Sequence, residues 1–296
     1  MTMLLATAPG ANPMGPRCAG EQAWCGAGGA RWLAGYRLER LLGGGGAPRV
    51  YLARDGRGRA AVLKVLACPP KSDAAAWRRF CLECELLSSL NDPRVVHVRE
   101  QRVIGDTAYL ALEYVAGGTL RDRLGGAAAP AAAVRFLHEA ACALAAIHSA
   151  GIVHRDVKPD NLLLRADGSL VLSDFSVAAR TGDTAARVPP GRLVGTACYA
   201  APEQLEGALP APSADVYGLG VLFHELLCGH PPFAGTTPQE VISQHLVAPV
   251  PRLPAHLMAY QSILDRLLNK QSQQRPHDGR AVLQEIDALA PGVGAD

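Results

Sequence analysis

The chain changes texture partway along. From YRLERLL to LALEYV it is built of short runs rich in Val, Leu and Tyr, bounded by Gly, Asp and Pro, which read as strands. One helical pattern interrupts them, SDAAAWRRFCLECELLSSL, with Ser72 or Asp73 as its cap and Trp77, Phe80, Leu87 and Leu90 spaced for one face. Beyond GGTLRDRL come long stretches with helical spacing, at 131–150, 214–228, 238–246, 255–268 and 278–289. Residues 151–212 are richer in Gly, Pro and polar side chains and contain two strand-like runs, NLLL and SLVLS. Segregated elements of this kind predict an α+β fold, a small β-rich part with one helix followed by a larger helical one.

Composition removes several alternatives. At 296 residues, 49% hydrophobic and 19% charged, the chain is of ordinary globular make-up. Residues 1–34, rich in Gly, Ala and Pro without period, read as a loosely ordered tail, and 291–296 as a short one. With 29 Lys+Arg against 27 Asp+Glu, the formal charge of +2 gives no pull toward nucleic acid or anionic lipid. The opening MTMLLATAPGANPMG lacks the basic n-region of a secretory signal. The longest apolar tract, 127–147, is broken by Pro130, Arg135, His138 and Glu139, which are costly in a bilayer. A cytoplasmic protein without membrane insertion is the expectation. Eight cysteines sit mostly inside periodic segments; the pair Cys81 and Cys84 lies in a helical pattern with no second pair or His at zinc-ligand spacing and reads as buried or half-buried free thiols.

The densest chemistry is in GIVHRDVKPDNLLL, residues 151–164, where Asp156, Lys158 and Asn161 follow His154 and Arg155. Pro159 prevents a regular helix there, so the acid, the amine and the amide belong to a tight loop. In this order and spacing the stretch resembles the catalytic loop H-R-D-x-K-x-x-N of the eukaryotic-type Ser/Thr protein kinases, the compact bacterial ones most of all. The resemblance runs from Tyr36 to Leu289 and implies a two-lobed kinase domain at 35–290, with an N-lobe at 35–115 and a C-lobe at 116–290. It implies that Asp156 accepts or orients the proton of the substrate hydroxyl, that Lys158 contacts the γ-phosphate and that Asn161 holds a metal ion. Phosphoryl transfer needs alignment and charge neutralisation more than covalent chemistry, which suits this set. Thirteen residues beyond Asn161, in LVLSDFSVAA, Asp174 matches the metal-binding aspartate of the family's D-F-G, with Ser176 in place of the glycine. A hard cation such as Mg²⁺ takes carboxylate and phosphate oxygens together. Serine visits glycine's conformations only at a cost, so a restricted flip of this segment is expected.

By the same resemblance the first half supplies nucleotide contacts. Lys64, alone among apolar residues in RAAVLKVLA, would hold the α- and β-phosphates and pair with Glu83. Glu85 is about 200° further round the helix and points elsewhere. Val62 stands where the family usually has Ala beside the adenine, and Leu112 would guard the back pocket. The backbone carbonyl of Glu113 and the N–H of Val115 would grip the adenine edge, with Leu163 as a further nucleotide contact. VGTACYAAPEQL matches G-T-x-x-Y-x-A-P-E, which puts Thr196 toward substrate, pairs Glu203 with Arg275 and leaves Asp215 to brace the catalytic loop.

The run RLLGGGGAPRVYLA follows the family's G-x-G-x-x-G-x-V at Gly43, Gly45 and Val50, while Pro48 takes the third glycine. Backbone N–H groups of Gly45, Gly46 and Ala47 would cradle phosphate; Pro48 donates none and pushes Ala47 toward an extended shape. One lost charge-assisted hydrogen bond is about 1.5–3 kcal/mol, so ATP binding is expected to weaken without being abolished. The other common phosphate cradle, G-x-x-x-x-G-K-[ST], does not occur in the chain.

The implied activity is transfer of the γ-phosphoryl of ATP, with Mg²⁺ or alternatively Mn²⁺, to Ser/Thr hydroxyls of proteins, this one included. Thr181 and Thr184 are candidate modification sites sensed through Arg155. Pro48 and Ser176 motivate a second reading, a pseudokinase that binds nucleotide as a scaffold; a kinase of small molecules is disfavoured by the complete docking segment from Thr196 to Glu203. Expected partners are ATP, protein substrates, and either an upstream sensor in another protein or in the tail, or a second copy of the chain.

Overall fold

A computed structural model describes residues 31–43, 48–67, 73–187 and 196–289, in two compact units. The first unit runs to Ser88 and takes in Val96–Tyr114; the second holds Ser89–Val95 and the chain from Val115 onward.

In the first unit β1 (Arg31–Leu33), β2 (Tyr36–Gly43), β3 (Arg49–Arg54), β4 (Ala60–Ala67), β5 (Val98–Ile104) and β6 (Thr107–Glu113) form one antiparallel sheet in the order β1-β2-β3-β4-β6-β5, and α1 (Ala74–Ser88) joins β4 to β5. Regular structure begins earlier than the expected Gly35. Ala34 and Gly35 both take positive φ, 52° and 89°, a two-residue turn that folds β1 onto β2 and buries Leu33. Strand alternation then sorts the side chains. Val50, Leu52, Val62, Lys64, Leu110 and Leu112 pair across one face; Tyr51, Ala53, Leu63, Tyr109 and Ala111 alternate with them and join Tyr36 and Leu38 in a buried cluster.

Asp73 caps α1, its Oδ1 accepting the Ala76 N–H at 2.8 Å; the alternative, Ser72, lies outside the described residues. The buried row is Ala76, Phe80, Glu83 and Leu87, at i, i+4, i+7 and i+11, rather than the expected Trp77, Phe80, Leu87 and Leu90. A 3.6-residue period puts the first set in line, which leaves Trp77 half-buried at the margin and Leu90 beyond the helix end. Cys84 is buried on the same helix, its thiol pushed up to about 12 by that burial, and Cys81 is raised by the same cause.

The second unit comprises α2 (Leu120–Arg123), α3 (Pro130–Ser149), β7 (Ile152–Val153), β8 (Leu162–Leu164), β9 (Leu170–Leu172), β10 (Ala179–Arg180), α4 (Pro202–Leu205), α5 (Pro212–Cys228), α6 (Pro238–Val247), α7 (Gln261–Leu267) and α8 (Gly279–Leu289). Helix α5 is its axis, buried at every residue from Ala214 to Leu227, as an all-round apolar sequence requires. A Cβ at Gly220 would sit 2.9 Å from Leu267, so glycine there lets α7 close on α5. Helix α3 is long and apolar enough by composition to cross a membrane, and here Leu137, Ala141, Leu144 and Ile147 form a buried stripe against α5 and α8.

The single helix expected at 255–268 is two pieces, a 3₁₀ stretch Ala255–Tyr260 followed by α7. Leu257 and Tyr260, both buried in the first piece, are three residues apart, the spacing that a three-residue turn stacks directly. The runs NLLL and SLVLS form the antiparallel hairpin β8–β9, and β7 pairs with β10; these two small ladders fix both ends of the loop that carries Asp156.

Candidate active site

Loop 154–161 is held by its backbone. Asp215, 1% exposed on the first turn of α5, accepts the N–H groups of His154 and Arg155, each at 2.7 Å. These bonds stabilise Arg155 at φ 70°, a region that costs a side-chain-bearing residue about 1–2 kcal/mol. His148 adds a third bond to the same carboxylate at 2.9 Å. The Gly279 N–H donates to His148 Nδ1 at 3.0 Å, which places the imidazole proton on Nε2, facing Asp215. On the other side, His154 Nε2 lies 2.9 Å from the Ser173 carbonyl, and its ring meets Phe175 edge-on at 4.9 Å.

Asp156 is 7% exposed and engaged through both oxygens. Oδ1 accepts the Thr196 N–H at 2.8 Å, and Oδ2 accepts Lys158 Nζ at 2.7 Å and Asn161 Nδ2 at 3.0 Å. Lys158 Nζ also donates to Thr196 Oγ1 at 2.6 Å, so three residues converge on one carboxylate. Asn161 Nδ2 makes a further bond to the Asp156 carbonyl at 2.8 Å. With the amide nitrogen so committed, Oδ1 is the Asn161 atom left to face a cation. The Ser173 N–H donates to the Asn161 carbonyl at 2.8 Å, which sets Asp174 on the backbone immediately beside it. An amide oxygen and an exposed carboxylate are hard donors, the chemistry of a Mg²⁺ or Mn²⁺ site.

Positive φ in this segment falls on Asp174. Among the described residues positive φ outside glycine occurs at Ala34, Arg155 and Asp174, the last at 57°, and Ser176 is not strained in this conformation. Its N–H donates to Asp174 Oδ1 at 3.4 Å.

In the first unit Lys64 Nζ meets Glu83 Oε1 at 2.7 Å, with side chains 9% and 3% exposed. Val50 lies opposite Lys64, and Val62 opposite Leu112, on the face that carries the lysine. Gly43 ends β2 opposite Val50; Gly45, Gly46 and Ala47 lie outside the described residues. Pro48 precedes the first residue of β3, so its missing N–H costs the sheet no ladder bond. Glu113 closes β6, its N–H donating to the His97 carbonyl at 2.9 Å and its Oε1 accepting the His97 N–H at 3.0 Å. In the second unit, Val115 is buried, and Leu163 is half-buried in β8, bridged to Thr119.

Further out in the second unit, Arg275 forks onto Glu203 at 2.6 and 2.7 Å with its side chain fully buried, as the sequence suggested. Arg155 Nη1 donates to the Ala186 carbonyl at 3.1 Å, two residues past Thr184, while Thr181 and Thr184 are both exposed. Burial pulls the Arg155 guanidinium below the ordinary arginine range, against the pull of Asp215 and Asp183. Sequence reasoning missed His148, which reads as one more core residue at the end of an apolar helix. It also missed Arg121, which donates to Glu225 at 2.5 Å and to the Tyr199 hydroxyl at 2.6 Å while that hydroxyl donates to Glu225. Only the juxtaposition of α2, α5 and the segment at Tyr199 reveals that network.

Residues 36–285 match the model of the protein kinase domain family. The chain is 37% identical over 261 residues to serine/threonine-protein kinase PknL of Mycobacterium tuberculosis, covering 87% of this chain and 64% of that one. It is 36% identical over 266 residues to PknA of the same species and 37% identical over 218 residues to PknB of Mycobacterium leprae, with 62% and 35% of those proteins covered. The chain therefore spans less than two thirds of the length of these relatives.

Proposed function

The chain belongs to the protein kinase domain family, and we propose that it is a cytoplasmic kinase transferring the γ-phosphoryl of ATP to serine and threonine hydroxyls of proteins, itself included. The observation that carries this reading is the convergence on Asp156. A carboxylate that accepts Lys158, Asn161 and the Thr196 backbone is fixed in position yet keeps lone pairs for an incoming hydroxyl.

In this reading Asp156 orients the hydroxyl and takes its proton as the oxygen attacks. Lys158, already shared between Asp156 and Thr196, neutralises charge on the transferring group, and its link to Thr196 ties the docking segment to the acid. Lys64 holds the α- and β-phosphates with its ammonium aimed by Glu83. Asn161 Oδ1 and the Asp174 carboxylate hold Mg²⁺, which when bound neutralises phosphate oxygens; Mn²⁺ is the alternative ion. Val50, Val62, Leu163, Glu113 and Val115 take the adenine, and Gly43, Gly45 and Gly46 the phosphates. Phosphorylation of Thr181 or Thr184 supplies a dianion to Arg155. Upstream, the activating partner is a separate sensor or a second copy of the chain.

The test is phosphate gained by the purified protein and by a generic Ser/Thr substrate with Mg·ATP, read by intact mass, beside Asp156→Asn. Transfer by the wild type alone supports the reading. Transfer by neither, with nucleotide still raising Tm, replaces it with a nucleotide-binding scaffold.

A further inference from the structure

Against the hairpin β8–β9 the second unit holds a cavity of about 400 Å³, within the range of small-molecule sites. Its walls are the Pro93–Arg94 loop, one turn of α3 bearing His138, Glu139 and Cys142, and the hairpin itself at Arg165 and Leu170. None of these residues takes part in the chemistry proposed above.

The lining donors and acceptors are not equally engaged. Glu139 spends Oε2 on the Leu170 N–H at 2.6 Å and Oε1 on Arg135 at 3.4 Å. Asp167 takes the N–H and hydroxyl of Ser169 on Oδ1 alone, bonds that hold its carboxyl below the usual range, and Oδ2 has no hydrogen-bond partner among the described residues. Glu139 is thus used in building the walls, while Asp167 keeps one oxygen spare. Arg94, by contrast, turns only its Nη1 to Asp92, at 3.1 and 3.4 Å; among the described residues Nε and Nη2 have no partner, and the side chain is 48% exposed. His138 is exposed beside it, with Nδ1 3.8 Å from Cys142 Sγ. Arg94 Nε and Nη2 and the exposed His138 ring therefore offer more spare donors than the one spare oxygen of Asp167, and Pro93 and the half-buried Cys142 thiol supply apolar surface next to them. That combination suits a small organic anion with an apolar body.

The cavity is also wired to the metal-ligand pair. The Arg94 carbonyl accepts the Leu172 N–H at 2.8 Å, and Val95 bridges the same residue. Leu172 ends β9 two residues before Asp174, and Asn161 immediately precedes β8. A ligand that draws Arg94 and the hairpin together acts on the strand ends that carry both proposed metal ligands.

We propose that this cavity is an allosteric site for a small organic carboxylate, anchored by Arg94 with His138 beside it, whose occupancy stiffens β9 up to Asp174. The site itself stands without the kinase reading; its consequence for metal and nucleotide rests on that reading.

The probe is phenylacetate, with the neutral isostere phenylacetamide as control, on the full chain. Alkylation of Cys142 by N-ethylmaleimide is followed by peptide mass spectrometry, with Cys81 and Cys198 as internal references. Bound probe shields the thiol by the factor 1 + [L]/Kd, so at four times its Kd alkylation slows about fivefold. Phenylacetate should protect saturably, phenylacetamide should not, and Arg94→Gln should abolish the protection. No protection, or equal protection by the amide, overturns the site. Amide hydrogen exchange across Leu170–Asp174 reads the coupling without requiring nucleotide. Slower exchange there with phenylacetate bound is expected, and unchanged exchange under full protection of Cys142 overturns the coupling. Whether Mg·ADP binds the same preparation is measured separately, so that failure of the kinase reading is not confused with failure of the site.

Discussion

Asp215 and His148 meet at 2.9 Å with side chains 0% and 2% exposed, and the carboxylate so held carries two backbone N–H groups of the loop before Asp156. Position in that loop therefore depends on a side chain fifty-nine residues beyond Asp156 and on a helix that ends before it.

Replacing Asp215 by Asn leaves one oxygen for three donors and turns an NH₂ toward at least one of them. Two charge-assisted bonds at roughly 1.5 kcal/mol each put the loss near 3 kcal/mol. Thermal denaturation should show that loss, and kcat should fall further than KM rises because the loop, not nucleotide affinity, is released. A variant with wild-type kcat and lowered Tm would make Asp215 purely structural.

Lys64 and Glu83 are buried together, so removing one strands the other. Lys64→Met is expected to cost about 3–5 kcal/mol, and Lys64→Met with Glu83→Met to recover most of it while remaining inactive. Urea denaturation of the two single variants and the double measures the recovery. Equal stability of the single and double variants would show that the pair is not the unit of stabilisation.

Arg275 presents a fork to Glu203 and also donates to the Asn269, Ser213 and Lys270 carbonyls. Lysine cannot reproduce that geometry, so Arg275→Lys should destabilise almost as much as Arg275→Met, by roughly 3 kcal/mol. Denaturant midpoints decide between this and a simple charge requirement, which Lys would satisfy.

His245 is fully buried in α6, with Nδ1 2.9 Å from the Tyr217 hydroxyl. Burial first, then the neighbouring Lys270, lowers its pKa from 6.5 to about 4. The unfolded state therefore binds a proton that the folded state refuses, and stability is lost as pH falls from 6.5 toward 4. The contribution is on the order of 3 kcal/mol at its limit. His245→Gln should flatten that part of the Tm-against-pH curve; parallel curves for both proteins would assign the acid sensitivity to other groups.

Two departures from the family pattern should be tolerated. Pro48→Gly restores one N–H and, at about 1.5–3 kcal/mol for a charge-assisted bond, is expected to tighten ATP by roughly ten- to a hundredfold. Ser176→Gly should change activity little, since Ser176 is unstrained, and should cost about 0.5–1 kcal/mol through backbone entropy. Isothermal titration with Mg·ADP and a melting curve test the two separately.

Spacing placed the residues locally, and the roles expected of them came through the family resemblance. Alternation in RAAVLKVLA fixes which side chains share a face with Lys64, and Pro159 fixes Asp156 in a loop, because both are local consequences of backbone geometry. The pairing of Glu203 with Arg275 was legible too, through the family pattern rather than from the residues themselves. The expected buried row of α1 departs from the observed one at both ends, at Trp77 because only packing shows that so apolar a residue lies at the margin, and at Leu90 because the helix ends at Ser88.

Local order in the chain fixes the succession of β-rich and helical parts and the loop from His154 to Asn161, and its motifs mark the family to which they belong. Packing settled that His148 reaches Asp215 and Gly279, that Arg121 closes on Glu225 and Tyr199, that Asp174 takes positive φ, and that a cavity opens beside Arg94. The division has a physical cause. Periodicity and turn chemistry act over a few residues and are written in the chain's local order. Long-range contacts depend on how whole helices settle against one another, and no short window of sequence contains that information.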